Sequence, residues 1–181
     1  MKNKAVFLDR DGVINAKAAA GEYVGSWEEF SIFPGVSEAI KKLNDAGFLV
    51  VVVTNQRGIA TGKVQVSELE NIHKRLVLHL ADRGAAIHHI YYCPHDLEKQ
   101  CECRKPQPGM LLTAFQDFEI DPGVSWMIGD TVSDVSAGQR AGCRTVLITE
   151  DASVKSGGAD LKVQSLLEAA HQLLKFDASL R

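Results

Sequence analysis

Short apolar runs alternate with amphipathic stretches along most of the chain. An apolar run at residues 4–8 ends at Asp9, and a longer β-branched run covers residues 48–53. Such runs are typical of parallel strands buried on both faces. Apolar residues in the intervening segments recur every three or four positions, as in helices packed on one side. The pattern predicts further strands at 87–92, 124–128 and 144–148, and helices at 35–46, 67–83, 108–118, 133–141 and 164–175.

This alternation predicts an α/β fold, a Rossmann-like three-layer sandwich with a central, mostly parallel sheet. Ser67, followed three positions later by Glu70, predicts a capping box at the start of the second helix. The chain has 181 residues without an internal repeat or long linker, so a single domain over residues 1–181 is expected. Ligands of such sheets bind at the carboxyl ends of the strands, and the polar residues there are the candidates for chemistry.

Composition and charge narrow the class of protein. Apolar residues make up 45% and charged residues 24%, which is ordinary globular usage. Twenty basic against 23 acidic residues give a net charge of -3, which argues against a protein built on nucleic-acid backbone contacts. No apolar run reaches the roughly 20 residues of a membrane span, and no secretory signal is visible, so a cytoplasmic protein is expected.

Carboxylates follow two of the predicted strands. Asp9 and Asp11 come directly after the first strand, and Asp130 follows the strand that ends at Ile128. Two carboxylates that point together repel unless a cation lies between them, and a hard divalent ion such as magnesium prefers oxygen ligands. A lone Asp-x-Asp is more often a turn or a helix cap. The combination with Thr54-Asn55 and with Asp134, one helical turn beyond Asp130, favours a metal-dependent site.

Cysteine and histidine cluster in a second segment, the loop 93–103. Cys93, His95, Cys101 and Cys103 lie within eleven residues, whereas Cys143 stands apart. Three thiols and an imidazole suit a closed tetrahedral zinc site. Coincidental cysteines in a surface loop are the plain alternative, and the Cys-x-Cys spacing makes a redox pair less favoured. Because the loop runs into Arg104-Lys105, a structural zinc would fix two cations beside the carboxylates.

Asp9-Arg10-Asp11-Gly12-Val13-Ile14-Asn15 resembles the first motif of the haloacid dehalogenase (HAD) superfamily phosphatases. Thr54 resembles the second-motif residue, Lys105 the third-motif lysine, and Asp130 with Asp134 the fourth motif. The resemblance implies a HAD-like fold in which Asp9 is the nucleophile and forms an aspartyl-phosphate. It also implies that Asp11 is the general acid and base, and that Thr54 and Lys105 bind the phosphoryl oxygens.

The same resemblance implies a magnesium site formed by Asp9, the backbone carbonyl of Asp11 and Asp130. Asp134 is expected to orient Lys105 or a metal-bound water. No long insertion follows Asp11 or separates Thr54 from Lys105, so no cap domain is expected. The loop 16–26, the loop 57–63 and the zinc loop would then shape a pocket for a small soluble sugar phosphate.

The sequence is especially similar to the D-glycero-D-manno-heptose-1,7-bisphosphate 7-phosphatases and their relatives, the histidinol-phosphate phosphatases. The resemblance rests on Asp-Arg-Asp-Gly, Thr54-Asn55-Gln56 and the run from Cys101 to Leu111. It implies removal of the 7-phosphate from the heptose bisphosphate, and a monomer is expected. It further implies substrate contacts from the first motif, the loop 16–26, the second motif and the basic loop: Arg10, Glu22, Tyr23, Thr54, Asn55, Gln56, Arg57, Arg104 and Lys105.

Two departures from these families concern charge. Arg57 is basic where a small residue is usual, and Thr61 stands at the usual arginine position. Thr131 stands where a lysine is common. Three alternatives remain at this point: a histidinol-phosphate phosphatase, a non-catalytic sugar-phosphate-binding module, and a nucleic-acid end phosphatase. The mild acidity and the lack of basic runs with interleaved aromatics count against the last.

Overall fold

The computed structural model describes residues 2–179, and within them a six-stranded parallel sheet separates two layers of helices. The strands are β1 (Ala5–Leu8), β2 (Leu49–Asn55), β3 (His89–Cys93), β4 (Trp126–Gly129), β5 (Arg144–Ile148) and β6 (Leu161–Val163). The helices are α1 (Val36–Asp45), α2 (Val66–Ala81), α3 (Gly109–Asp117), α4 (Val132–Ala141) and α5 (Leu166–Ser179), with a 3-10 turn at Pro122–Val124. The predicted α/β sandwich is confirmed.

The strand order β3-β2-β1-β4-β5-β6 puts β1 between β2 and β4. Alternate residues of β1 enter different cores: Val6 and Leu8 pack on the side of α1, α2 and α5, whereas Ala5 and Phe7 pack on the side of α3 and α4. The β-branched run of β2 divides in the same way. The continuous apolar runs therefore arise because each strand is covered on both faces.

One strand was missed and one local prediction was wrong. β6 was not predicted, because three residues between turns are too few to show a period. Its extended conformation is stabilised by pairing with β5. The predicted capping box of Ser67 and Glu70 is not formed, since α2 begins at Val66 with Gln65 at its N-cap and no side-chain cap bond. A capping box instead begins α4, where Thr131 and Asp134 exchange hydrogen bonds.

The sheet leaves its functional edge open. The carboxyl ends of β1, β2 and β4 lie side by side, and Asp9, Thr54 and Asp130 stand at these ends. Residues 2–179 hold no further sheet or helical unit inserted between these strand ends. Within the same range, no helix combines the length and the apolar character needed to cross a bilayer.

Candidate active site and metal centres

Lys105 is the centre of the carboxylate cluster. Its side chain is 2% exposed, and its ammonium lies 2.8 Å from Asp9 Oδ1 and 2.7 Å from Asp134 Oδ1. The ammonium also donates to the carbonyl of Val53, at the end of β2. Although burial opposes its charge, Asp9 and Asp134 raise the pKa of Lys105 above its ordinary value. The lysine is therefore a fixed cation at the carboxyl ends of the strands.

The two carboxylates beside Lys105 differ in their pKa. Burial raises the pKa of Asp9 to about 6, against the opposing attraction of Lys105. For Asp134 burial acts in the same sense, but Lys105 and the hydrogen bonds from Thr131 prevail and lower the pKa. Thr131 donates to Asp134 Oδ2 from its backbone at 3.0 Å and from its hydroxyl at 2.6 Å. Asp134 therefore makes the direct contact with Lys105 that the predicted orienting role requires.

Asp9 also accepts a hydrogen bond from the backbone of the next residue. The backbone N–H of Arg10 donates to Asp9 Oδ1 over 2.7 Å, so this oxygen has two donors. Thr54, 1% exposed, lines the same 200 Å³ cavity as Asp9, Asp11 and Lys105. The predicted catalytic residues therefore share one small cavity.

Asp11 is held on its inner side by three residues. Arg10 Nη2 donates to both carboxylate oxygens at 2.9 Å, Asn15 donates to Oδ1 at 2.8 Å, and Gln56 donates to Oδ2 at 2.9 Å. Against the effect of burial, Arg10 and these amides lower the pKa of Asp11. The Asp11 side chain is still 26% exposed, so one edge remains open to a ligand.

Asp130 has a carboxylate oxygen that could bind a cation. Its pKa is raised by burial despite an ion pair with Lys17, and its Oδ1 is buried without a hydrogen-bond partner among the described residues. Ligand oxygens of Asp9, Asp130 and Asp134 lie within 4.8 Å of one another. Gly12, with φ +98°, permits this approach, because a Cβ at that position would collide with the Asp130 carboxylate. An oxygen-rich set with an unsatisfied buried oxygen fits a hard divalent cation.

Five of the nine predicted substrate residues line one cavity, and two arginines lie beside the Cys/His loop. The cavity, of 200 Å³, is lined by Arg10, Glu22, Tyr23, Asn55 and Gln56 together with Asp11. Arg57 instead pairs with Asp96 at 2.6 Å, and Arg104 donates to the carbonyl of His95 at 3.3 Å. Both arginines are thereby tied to the Cys/His loop.

Three residues predicted to contact substrate are engaged within the protein. The Arg10 side chain is 1% exposed, and its guanidinium contacts Asp11 and His73. Asn55 makes a two-way bond with the backbone of Lys105, with both contacts at 3.1 Å. Gln56, 4% exposed, bridges Asp11 and Thr54. Sequence gives no direction for side chains in tight loops, and here they turn inward to support the catalytic residues.

The four-residue Cys/His cluster is also assembled. Cys93 Sγ lies 3.7 Å from Cys101 Sγ and 3.2 Å from Cys103 Sγ, and His95 Nδ1 lies 3.5 Å from Cys93 Sγ and 3.2 Å from Cys103 Sγ. A tetrahedral ion with bonds near 2.3 Å to sulfur needs ligands about 3.7 Å apart. The four atoms therefore fit one zinc-sized ion. Cys143 is buried elsewhere, as expected for a small apolar residue.

Three residues around the carboxylate cluster have contacts that were not predicted from the sequence. Asn15 supports Asp11, Lys17 pairs with Asp130, and His73 contacts Arg10. Two of them had a visible signal. Asn15 closes the Asp-Arg-Asp-Gly motif, and His73 lies at helical spacing among the apolar residues of α2.

A parallel sheet in this strand order, with aspartates and a buried lysine at the carboxyl ends of its strands, is typical of HAD-like hydrolases. The model of the HAD-hydrolase-like family matches residues 102–170.

Sequence relatives narrow the family to which the chain belongs. It is 38% identical to the D-glycero-beta-D-manno-heptose-1,7-bisphosphate 7-phosphatase of Haemophilus ducreyi, over 93% of this chain and 97% of the relative. It is 40% identical to the enzyme of the same name from Escherichia coli K12, over 80% of this chain and 78% of the relative.

A solved structure agrees with these relatives. The D,D-heptose 1,7-bisphosphate phosphatase from B. bronchiseptica, complexed with magnesium and phosphate, matches with a TM-score of 0.87 and 35% identity. The match covers 96% of this chain and 99% of that one. The chain therefore belongs to the D-glycero-beta-D-manno-heptose-1,7-bisphosphate 7-phosphatase family.

Proposed function

We propose that this protein is a magnesium-dependent phosphatase that removes the 7-phosphate from D-glycero-D-manno-heptose 1,7-bisphosphate. The observation that carries the proposal is the buried Lys105 paired with Asp9 and Asp134, beside the buried Asp130 Oδ1, which has no hydrogen-bond partner among the described residues. Family membership supplies the substrate, which is printed in the names of the relatives. Those names specify the β anomer, and we expect the same preference here.

Asp9 is the proposed nucleophile. Arg10 N–H and Lys105 hold Oδ1, which leaves Oδ2, among the described contacts, for attack on phosphorus. The Oδ2–P bond forms while the bond from phosphorus to the sugar oxygen breaks, which gives an aspartyl-phosphate. Thr54 and Lys105 would bind the phosphoryl oxygens, where negative charge grows.

Asp11 is the proposed general acid and base. Its open edge would donate a proton to the departing sugar oxygen, and the resulting carboxylate would then take a proton from the water that cleaves the aspartyl-phosphate. Its lowered pKa favours the second role in the free protein. Arg10, Asn15 and Gln56 keep the carboxylate oriented for both steps.

The residues present fit both proposed metals. Asp9, Asp130 and the Asp11 carbonyl would hold Mg²⁺, which when bound neutralises charge between the carboxylates and the phosphoryl group. Cys93, His95, Cys101 and Cys103 would hold a structural Zn²⁺. Thiol protons must leave for zinc to bind, and burial raises the pKa of Cys103 to about 12 without it.

The remaining proposals concern the protein as a whole. We propose a single domain that acts as a monomer on a small sugar bisphosphate, without nucleic-acid or membrane partners. The open edge of the sheet and its small cavities support a small substrate. A reducing compartment such as the cytoplasm suits a cluster of free thiols.

The test is a phosphate-release panel with magnesium present. The two anomers of the heptose bisphosphate and histidinol phosphate are compared by kcat/KM, with Asp9→Asn as the matched inactive variant. We expect the β-bisphosphate to be preferred and Asp9→Asn to release no phosphate above background. Equal or better turnover of histidinol phosphate would overturn the substrate, and an active Asp9→Asn would overturn the mechanism.

A further inference from the structure

Arg10, which lies between Asp9 and Asp11 in the sequence, is buried, and both ends of its guanidinium need hydrogen-bond acceptors. Arg10 is 1% exposed, and its guanidinium binds Asp11 through Nη2 at 2.9 Å and through Nε at 3.3 Å. Phe30 covers it, with the ring centroid 5.4 Å from Cζ. The other terminal nitrogen, Nη1, points to α2 and lies 3.2 Å from His73 Nε2.

The chemistry of this contact fixes the state of His73. A guanidinium stays protonated and has no acceptor, so it can only donate. His73 Nε2 must therefore present its lone pair, and the ring is neutral with its proton on Nδ1. The ring is 8% exposed and packs against Tyr92, with the centroids 5.9 Å apart. Two elements, α2 and β3, thus hold the imidazole in place.

A planar guanidinium with both ends bound cannot turn about its long axis. His73 fixes one end of Arg10, and the other end meets the Asp11 carboxylate through two oxygens. Without an acceptor at His73, a buried N–H would lose its partner, and Arg10 would gain freedom to move. A mobile Arg10 would also release Asp11, because the remaining donors, Asn15 and Gln56, bind only one carboxylate oxygen each.

We propose that His73 is a positioning residue, which holds Asp11 in its proton-transfer orientation through Arg10. The proposal rests on the proposed function, since it gives Asp11 the acid and base role. It assigns α2, whose other buried residues belong to the core, a part in the chemistry.

The kinetic test compares variants of His73 that remove or keep the acceptor. His73→Phe has a ring but no acceptor, His73→Gln retains an acceptor, and His79→Phe on the same helix is the control. Misplacing a general acid and base costs part of its contribution of about 10²–10⁴-fold. We expect kcat of His73→Phe to fall about tenfold to a hundredfold with KM changed less than about threefold, and His73→Gln to recover most of the loss. An unchanged kcat of His73→Phe, or an increase in its KM without a fall in kcat, would overturn the proposal.

A spectroscopic test is independent of turnover. In wild-type protein labelled with ¹⁵N-histidine, we expect the His73 ring to show a protonated Nδ1 and an unprotonated Nε2. A proton on Nε2 would disprove the contact, even if His73→Phe does not fold. If wild-type protein released no phosphate but kept this tautomer, the proposed function would fail while the Arg10 contact stood.

Discussion

At the residue scale, Lys105 prevents two buried carboxylates from repelling each other. Replacing it by methionine would leave Asp9 and Asp134 without their shared cation. Removing one member of a buried ion pair costs about 3–5 kcal/mol, and removing a donor to a transition-state oxygen costs about 10²–10³-fold in kcat. We expect Lys105→Met to show both losses, by urea unfolding and by phosphate release.

The control for Lys105 lies in the same loop. Lys99 is exposed, so Lys99→Met makes the same chemical change without uncovering a buried charge. Wild-type stability and turnover are expected for it. A Lys105→Met protein as active as Lys99→Met would contradict the assigned role.

His73 also makes a prediction about stability and pH. Burial, and then the nearby Arg10 charge, lower the pKa of His73 to about 3, from an ordinary value of 6.5. Between these values the unfolded chain takes up a proton that the folded protein does not, so the free energy of unfolding falls as the pH falls below about 6.5. The loss approaches ~1.4 kcal/mol per pH unit for this one group.

Urea unfolding between pH 4 and pH 7 measures this effect. His73→Gln has no ring to protonate, so its stability should decline less steeply toward acid than that of the wild type. His79→Gln, on the same helix, is the comparison. Parallel curves for wild type and His73→Gln would show that the buried ring does not resist protonation.

Much of the site could be predicted residue by residue from the sequence. Asp9, Thr54, Lys105 and Asp130 follow strands or resemble known motifs, and parallel strands bring such positions to one edge. The inward direction of Arg10 could not be predicted, because it is set by His73, 63 residues away. Contacts of that range depend on how helices pack, which no local pattern encodes.

At the scale of elements, the loop 93–103 contains the proposed zinc site and leads into Arg104 and Lys105, the cations proposed to bind phosphate. Cys101→Ser removes one ligand of four, and we expect the variant to lose most of its bound zinc and part of its turnover, since Lys105 follows directly. Metal analysis should give about one zinc per wild-type chain. Cys143→Ala, in a buried position outside the cluster, should keep its zinc. Zinc-free wild-type protein with full activity would reject the proposal.

The elements themselves show what a sequence pattern can and cannot predict. The five longer strands and all five helices follow from apolar runs and helical spacing, with shifts of a few residues at their ends. β6 is ordered by neighbours: it pairs with β5, and its Leu161 and Val163 pack toward α5. A strand of three residues has too little period of its own to be recognised.

At the scale of the whole molecule, magnesium should act as a stabilising ligand. The free protein keeps Asp9 and Asp130 close together, and burial raises the pKa of both. A ligand at about 100 times its Kd adds ~2.7 kcal/mol, which corresponds to a Tm increase of roughly 5–10 °C for a domain of this size. Differential scanning calorimetry with and without Mg²⁺ measures it. Asp130→Asn should abolish the increase, and an equal shift in that variant would place the ion elsewhere.

The bond between Asn55 and the Lys105 backbone has a consequence for how this enzyme could diversify. The side-chain amide of Asn55 pairs with the Lys105 backbone as a peptide group would, and this holds Lys105 at the end of β2. The other side of the loop begins at Cys93, which lies in β3. The tip between residues 96 and 100 is exposed or half-exposed, and Asp96 at its start pairs with Arg57. Lengthening a tethered loop costs little, about 0.6 kcal/mol for each doubling. The tip is therefore an insertion point, where added residues would leave Lys105 in place.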